Sequence, residues 1–173
     1  EEHHAVRGCG GIFDVSHMTV VDISGIDATA YLQRLLTQDV ATLAPGQASY
    51  GALLNQAGGV IDDLIAYRRE EGYRLIVNAA TRDGDLAWLE AHRTGNLGIT
   101  ERAELAMLAV QGPEALARAA PWLGAAAPAL AALPPFAFLE DGDRFLARTG
   151  YTGEDGFEVV LPAAEVIDAW AAL

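Results

Sequence analysis

Two adjacent carboxylates, Asp62 and Asp63, lie inside a segment that otherwise reads as strand, Asn55-Gln56-Ala57-Gly58-Gly59-Val60-Ile61-Asp62-Asp63-Leu64-Ile65-Ala66-Tyr67. Gly58 and Gly59 permit a tight hairpin or a close approach to a ligand, and Val60-Ile61 and Leu64-Ile65 are β-formers on either side of the acids. Successive strand side chains point to opposite faces, so one of the two aspartates faces inward. A buried carboxylate is costly unless it is paired, hydrogen-bonded or protonated, which makes it a candidate to hold a polar ligand. The alternative is a turn whose aspartates cap backbone N–H groups or sit in solvent.

A second glycine-rich stretch, Thr149-Gly150-Tyr151-Thr152-Gly153-Glu154-Asp155-Gly156, precedes a strand-like run, Phe157-Glu158-Val159-Val160-Leu161. It has neither the lysine of a phosphate-binding loop nor the helix that must follow a dinucleotide fingerprint, which disfavours a nucleotide site. Its glycines can bring backbone close to a planar ligand, with Tyr151 offering a ring and Glu158 a carboxylate. The competing reading is a wide-looped hairpin with Tyr151 packed on the sheet and Glu158 in water.

Composition narrows the chemistry further. All 11 basic residues are arginine, so lysine Schiff-base and Walker-lysine mechanisms have no residue to use. A net charge of −13 argues against a nucleic-acid backbone as partner, and no stretch reaches the roughly 20 apolar residues of a membrane-spanning helix. Cys9 is the single cysteine, which excludes an intrachain disulfide and fits a reducing compartment. The polar start Glu1-Glu2-His3-His4 is not a signal peptide, and the spacing of His3, His4, His17 and His92 gives no metal-ligand pattern. His17 reads as a structural hydrogen-bonding residue.

These residues need a scaffold, and the patterning gives an α+β chain. Strands are expected over Met18–Ile23, Ala48–Leu54, residues 60–68 and Tyr73–Asn78, the last three forming a meander. Asp27 is placed to cap a helix through Leu36, and Leu86, Trp88 and Leu89 mark another between Thr81 and His92. A strand over Glu104–Gln111 leads to a helix over Glu114–Trp122, with Pro113 suited to its first turn. A short helix and an extended linker follow over Ala125–Pro135. A strand pair, Arg144–Arg148 and Phe157–Leu161, encloses the glycine-rich loop, and a final helix from Ala163 packs Val166, Ile167 and Trp170. The 173 residues fit one domain, or one with part of a second.

Five motifs in order carry a resemblance: Gly11-Ile12-Phe13-Asp14-Val15-Ser16-His17-Met18, the Gly58–Asp63 segment, Val77-Asn78-Ala79-Ala80, Val110-Gln111-Gly112-Pro113, and Arg148 to Glu158. Together they resemble the aminomethyltransferases, the T-proteins of the glycine cleavage system, from about Glu2 to the last residue. The resemblance implies an α+β fold of mixed or antiparallel sheets with flanking helices that binds tetrahydrofolate. It also implies transfer of an aminomethyl group from the lipoyl arm of the H-protein, with release of ammonia and formation of 5,10-methylenetetrahydrofolate. Asp63 falls on the family's catalytic acid. Glu158 falls on the glutamate that anchors the pterin, and its two oxygens suit the side-by-side amino and N–H donors of that ring. Tyr151, Tyr50, Tyr67, Met18 and Asn78 match positions lining the folate cavity, while Asp14 and Gln111 are assigned structural roles.

Residues 1–173 are accordingly expected to be a folate-binding region lacking the family's N-terminal segment and C-terminal domain. The expected partners are folate and lipoylated H-protein, with no nucleic acid and no membrane, in a bacterial cytoplasm or a mitochondrial matrix. Arg68-Arg69 is a candidate contact for an acidic carrier, the plainer reading being a solvated strand end. The alternatives are a related folate-binding demethylase-type module and a non-catalytic fragment of the fold.

Overall fold

The computed structural model describes residues 1–173, and the chain forms two compact units. Residues Glu1–Ser16 and Glu104–Leu173 make the first, and His17–Ala103, between them in sequence, make the second. The chain opens with α1 (Glu2–Gly8) and β1 (Gly11–Asp14) of the first unit. It passes through the second unit as β2 (Thr19–Ser24), α2 (Ala28–Leu35), β3 (Ala48–Leu54), β4 (Val60–Arg68), β5 (Tyr73–Val77), α3 (Arg82–Ala91) and β6 (Gly98–Glu101). It returns as β7 (Leu105–Gln111), α4 (Ala115–Leu123), α5 (Ala127–Ala132), β8 (Phe138–Asp141), β9 (Arg144–Ala147), β10 (Gly156–Pro162) and α6 (Val166–Ala172).

The second unit is an antiparallel sheet of order β3-β4-β5-β2-β6. The β3-β4-β5 meander is the expected one. Alternation sends Val21, Ile23, Leu53, Leu64, Ala66, Tyr73, Leu75 and Val77 to one face, where Ala28, Tyr31, Leu32 and Leu35 of α2 and Leu89 of α3 complete a core. The other face carries Tyr50, Asp63, Ile65, Tyr67, Arg74 and Ile76. Asn55 builds the turn between β3 and β4: its Oδ1 accepts from the N–H groups of Ala57 and Gly59, each at 2.9 Å. The register then shifts, Leu53 opposing Asp62 and Leu54 opposing Val60, so a bulge falls at Ile61. That extra residue lets Ile61 pack on the helix-side core while Asp62, in phase with Leu64 and Ala66, also points there.

The first unit repeats the scheme with a sheet of order β1-β7-β10-β9-β8, again antiparallel. Its helices press Ala115, Ala119, Leu123, Leu130 and Ala169 onto Leu108, Val110, Leu146, Phe157, Val159 and Leu161. The opposite face holds Glu158 beside Ala109 and Ala147.

Several local expectations are corrected. Asp27 occupies the N-cap position of α2 but makes no cap bond; its Oδ2 accepts from the Asn96 N–H at 2.7 Å and so ties the loop before β6 to the helix. Pro113 precedes the α4 N-cap, Glu114, and it is Pro121 that lies within the helix. The last helix begins as a 3₁₀ turn over Ala163–Glu165, which sets its phase so that Val166, Ala169 and Leu173 face the core. Ile167 and Trp170 are 78% and 45% exposed instead. Strands β1, β6 and β8 are four residues each, too short for a period to show in sequence. Arg68 and Arg69 do not form a solvated strand end: Arg68 lies 4.8 Å over the Tyr73 ring and donates to Gly72 O, and Arg69 pairs with Asp22.

Between β4 and β5 the chain turns at Gly72 with φ of 85°, and a Cβ there would stand 2.1 Å from Ile23 O. Gly72→Ala therefore combines left-handed strain with a backbone clash, and is expected to lower unfolding free energy by about 2 kcal/mol or more, measured by urea denaturation.

Candidate functional site

On β4, the two aspartates divide between the faces of the sheet. Asp62 is the inward one, 6% exposed. Its Oδ2 accepts from the Asn78 backbone N–H at 3.1 Å, and its Oδ1 from the Asn78 side-chain amide at 2.9 Å. Burial alone would raise the Asp62 pKa, but these bonds outweigh it and hold it below the usual carboxylate range. The same Asn78 amide nitrogen reaches Asp63, at 3.0 Å from its carbonyl and 3.4 Å from Oδ1. On the far face, Tyr50 donates its hydroxyl to Asp63 Oδ2 at 2.8 Å, a contact that raises the pKa of the phenol. Register explains the meeting: Ala52 opposes Asp63, and Tyr50 is two residues back on the same face. Asp63, Tyr50 and Asn78, singled out from the sequence, are thus joined in one network.

Tyr67, four residues beyond Asp63 on the same face, is 1% exposed, whereas Tyr50 is 52% exposed. Met18 directly precedes β2 and is half-buried. The bonds that hold Asp62 place it with the network rather than in a ligand pocket. Asp85 was not signalled by the apolar spacing that located α3, yet it is fully buried. It lies one helical turn before Leu89 on the buried face, where its carboxyl meets that of Asp62. Burial first, and then a hydrogen bond with the Asp62 carboxyl, raise its pKa to about 7, with the Thr81 hydroxyl partly offsetting them and the Asp62 charge adding least.

In the first unit, Glu158 is 4% exposed, so the solvated alternative does not hold. Burial raises its pKa, and one hydrogen bond, from the Thr149 hydroxyl to Oε2 at 2.5 Å, partly offsets that. Gln111 organises the adjoining loop. Buried at the end of β7, it donates to Thr149 O at 3.1 Å and accepts from the Thr152 hydroxyl at 2.9 Å. Gly150 makes this possible, since a Cβ there would lie 2.1 Å from Gln111 Oε1. Arg148 pairs with Asp155 across the loop. Tyr151 stands on the loop at 67% exposure rather than buried against the sheet. Asp14 is also structural, its carboxylate accepting from the Ser16 N–H at 3.0 Å, and His17 is exposed.

Both sheets therefore carry helices on one face and their candidate acid, Asp63 or Glu158, on the other. The GCVT N-terminal domain family model matches residues 1–173, the whole described chain. The chain belongs to that family.

Its relatives include an aminomethyltransferase of Alcanivorax borkumensis, 57% identical over all of this chain and 49% of the relative. Another, from Pseudomonas syringae pv. tomato, is 52% identical over 95% of this chain and 47% of the relative. The chain spans about half the length of these curated relatives. Among solved structures it is similar to the glycine cleavage system aminomethyltransferase T from Bartonella henselae, with a TM-score of 0.87 and 36% identity over 97% of this chain and 47% of that one. The heterotetrameric sarcosine oxidase from Corynebacterium sp. U-96 is similar in fold alone, with a TM-score of 0.60 and 13% identity over 94% of this chain and 80% of that one.

Gln111→Ala leaves the Thr149 carbonyl and Thr152 hydroxyl without a buried partner and is expected to cost about 1–3 kcal/mol. Limited proteolysis should then cut within residues 149–156 faster than in the unaltered chain. The raised Asp85 pKa gives a second expectation. The folded state keeps a proton that the unfolded chain releases near 3.8, so this group's contribution to stability is present at lower pH and is lost as pH rises towards about 7. Thermal melts from pH 5 to 8 should show that downward slope in the unaltered chain and a smaller one in Asp85→Asn.

Proposed function

We propose that this chain is the folate-handling region of a tetrahydrofolate-dependent aminomethyltransferase of glycine cleavage. In that reaction the aminomethyl group leaves the lipoyl arm of the H-protein, ammonia departs, and 5,10-methylenetetrahydrofolate is formed. The observation that carries the reading is the Asp63 network. An acid is held by Tyr50 and Asn78 on a helix-free sheet face, and it is the residue to which the family resemblance assigns the catalytic role. Family membership and the aminomethyltransferase relatives support it. They are bacterial, and the reading puts the protein in a bacterial cytoplasm. No helix is long and apolar enough to cross a membrane.

The residues fit a pterin. Glu158 is buried, and its single hydrogen bond is to Oε2, so Oε1 retains full acceptor capacity for the paired donors of the ring. Tyr151, at 67% exposure, offers a ring face, and Tyr50, Met18 and Asn78 are assigned to the folate-lining surface, with Tyr67, 1% exposed, backing it from within the sheet. Tetrahydrofolate supplies the amine nitrogen, N5, that takes up the methylene. Asp63 orients that nitrogen and stabilises the positive charge that develops as the amine leaves. This requires a fixed negative group more than a covalent nucleophile. The Tyr50 and Asn78 bonds keep the carboxylate from rotating, so its charge is in place before the reaction starts.

Calorimetric titration with tetrahydrofolate is expected to give saturable binding that Glu158→Ala abolishes. Because the pterin donors favour the ionised form of an acid whose pKa burial raises, binding should weaken as pH falls into the acidic range. In a transferase assay with lipoylated H-protein, Asp63→Asn should lose about 10²–10³-fold in turnover with its circular dichroism unchanged. Near-unaltered turnover in the folded variant would refute the role given to Asp63.

A further inference from the structure

We infer that Asp85 is a positioning residue for Asp63: its buried carboxyl carries a proton donated to Asp62, and through Asp62 and Asn78 it fixes the acid on the opposite sheet face. The inference rests on the role proposed for Asp63, but the device it describes exists in the protein without ligand.

Asp85 is 0% exposed, neither carboxyl oxygen has a donor in good hydrogen-bonding geometry, and the nearby Thr81 hydroxyl offsets its burial only in part. An ionised carboxylate left in that condition would carry a large desolvation cost. The groups around it are few. From β4 comes the Asp62 carboxyl, and from the residue before α3 comes Thr81, whose hydroxyl donates to Asn78 O at 3.2 Å. Arg82, in the same turn, is committed to Glu101 and Asp83, with its Nε donating to Glu101 at 2.7 Å. Asp63 and Tyr50 lie on the other face of the sheet. No cation therefore faces the carboxyl pair, and two acceptors in contact require a proton between them.

The other bonds decide where that proton resides. Asp62 already accepts two well-formed hydrogen bonds from Asn78, which favour its ionised form, whereas Asp85 has only the partial support of the Thr81 hydroxyl. Asp85 is consequently the donor and Asp62 the acceptor. Asp62 in turn grips Asn78 by backbone and side chain together. The Asn78 amide then reaches the Asp63 carbonyl and carboxylate, and Tyr50 closes the far end. The sequence of bonds runs Asp85 to Asp62, Asn78 to both aspartates, and Tyr50 to Asp63, linking the helix-covered core to the acid on the open face. A leucine would fill the Asp85 site without any desolvation cost, so packing alone gives no reason for an acid there.

The test is NMR of the 173-residue chain, with aspartate carboxyl carbons and the asparagine side-chain amide labelled, in the unaltered protein, Asp85→Asn and Asp85→Leu. The unaltered chain should show a carboxyl titrating near neutral pH, with Asn78 amide protons that exchange slowly below that midpoint and about tenfold faster above it, as the donated proton is lost. Asp85→Asn retains a donor towards Asp62, so it should lose the titration and keep Asn78 protected at every pH. Asp85→Leu should stay folded, lose Asn78 protection throughout, and show a lowered Tyr50 titration midpoint as the Asp63 contact loosens. Asn78 protection that ignores pH in the unaltered chain, or a Leu variant with Asn78 and Tyr50 unchanged, would overturn the inference. The unaltered and Asn proteins alone decide it if the Leu variant does not fold. None of these readouts involves folate, so failure here is separable from failure of the proposed function.

Discussion

A carboxylate inside a protein has to be given donors, and in the second unit that requirement falls on Asn78. One side-chain amide and one backbone N–H satisfy Asp62, and the same amide nitrogen extends to Asp63. The constraint reaches outward from there. Asn78 directly follows β5, so the register of β4 on β5 must bring it level with the acids, and Ile65 opposing Ile76 sets that register. The bulge at Ile61 puts Asp62 in phase with Leu64 on the core side, which leaves Asp63 for the other face. Thr81 secures the Asn78 carbonyl from the start of α3, so the helix is bound to the same point.

The first unit solves a related problem differently. Glu158 is buried with only the Thr149 hydroxyl to satisfy it, and its surroundings are Ala109 and Ala147 on the neighbouring strands. Burial with that one bond raises its pKa, whereas the Asn78 bonds lower that of Asp62. The two acids are thereby set to opposite tendencies: the Asn78 bonds favour the ionised form of Asp62, while heavier desolvation, only partly offset by Thr149, favours the neutral form of Glu158. Gln111 makes this stable by holding the loop above Glu158 through the Thr149 carbonyl and Thr152.

Much of this was legible in the sequence because it rests on periods and on turn chemistry. The Gly58-Gly59 hairpin, the three-strand meander and the strand pair around residues 150–156 follow from alternation broken by glycine. The ordered motifs pointed to the family and to Asp63, Asn78 and Tyr50. What escaped was set by tertiary context. Asp85 stands where a helix commonly carries a solvated acid, and only its position four residues before Leu89 hinted that it faced inward. The exposed Ile167 and Trp170 reflect a 3₁₀ turn that rephases the last helix, which hydrophobic spacing does not reveal. The short strands β1, β6 and β8 owe their existence to longer neighbours that offer them a paired edge.

The central claim is that Asn78 acts on the reaction through Asp63. A double-mutant cycle on turnover, comparing Asn78→Ala, Asp63→Asn and the two combined, tests it most directly. Once the Asp63 charge is gone there is nothing left to position, so the combined variant should be no slower than Asp63→Asn alone. Losses that simply multiply would show that the two residues act independently, and would contradict the account.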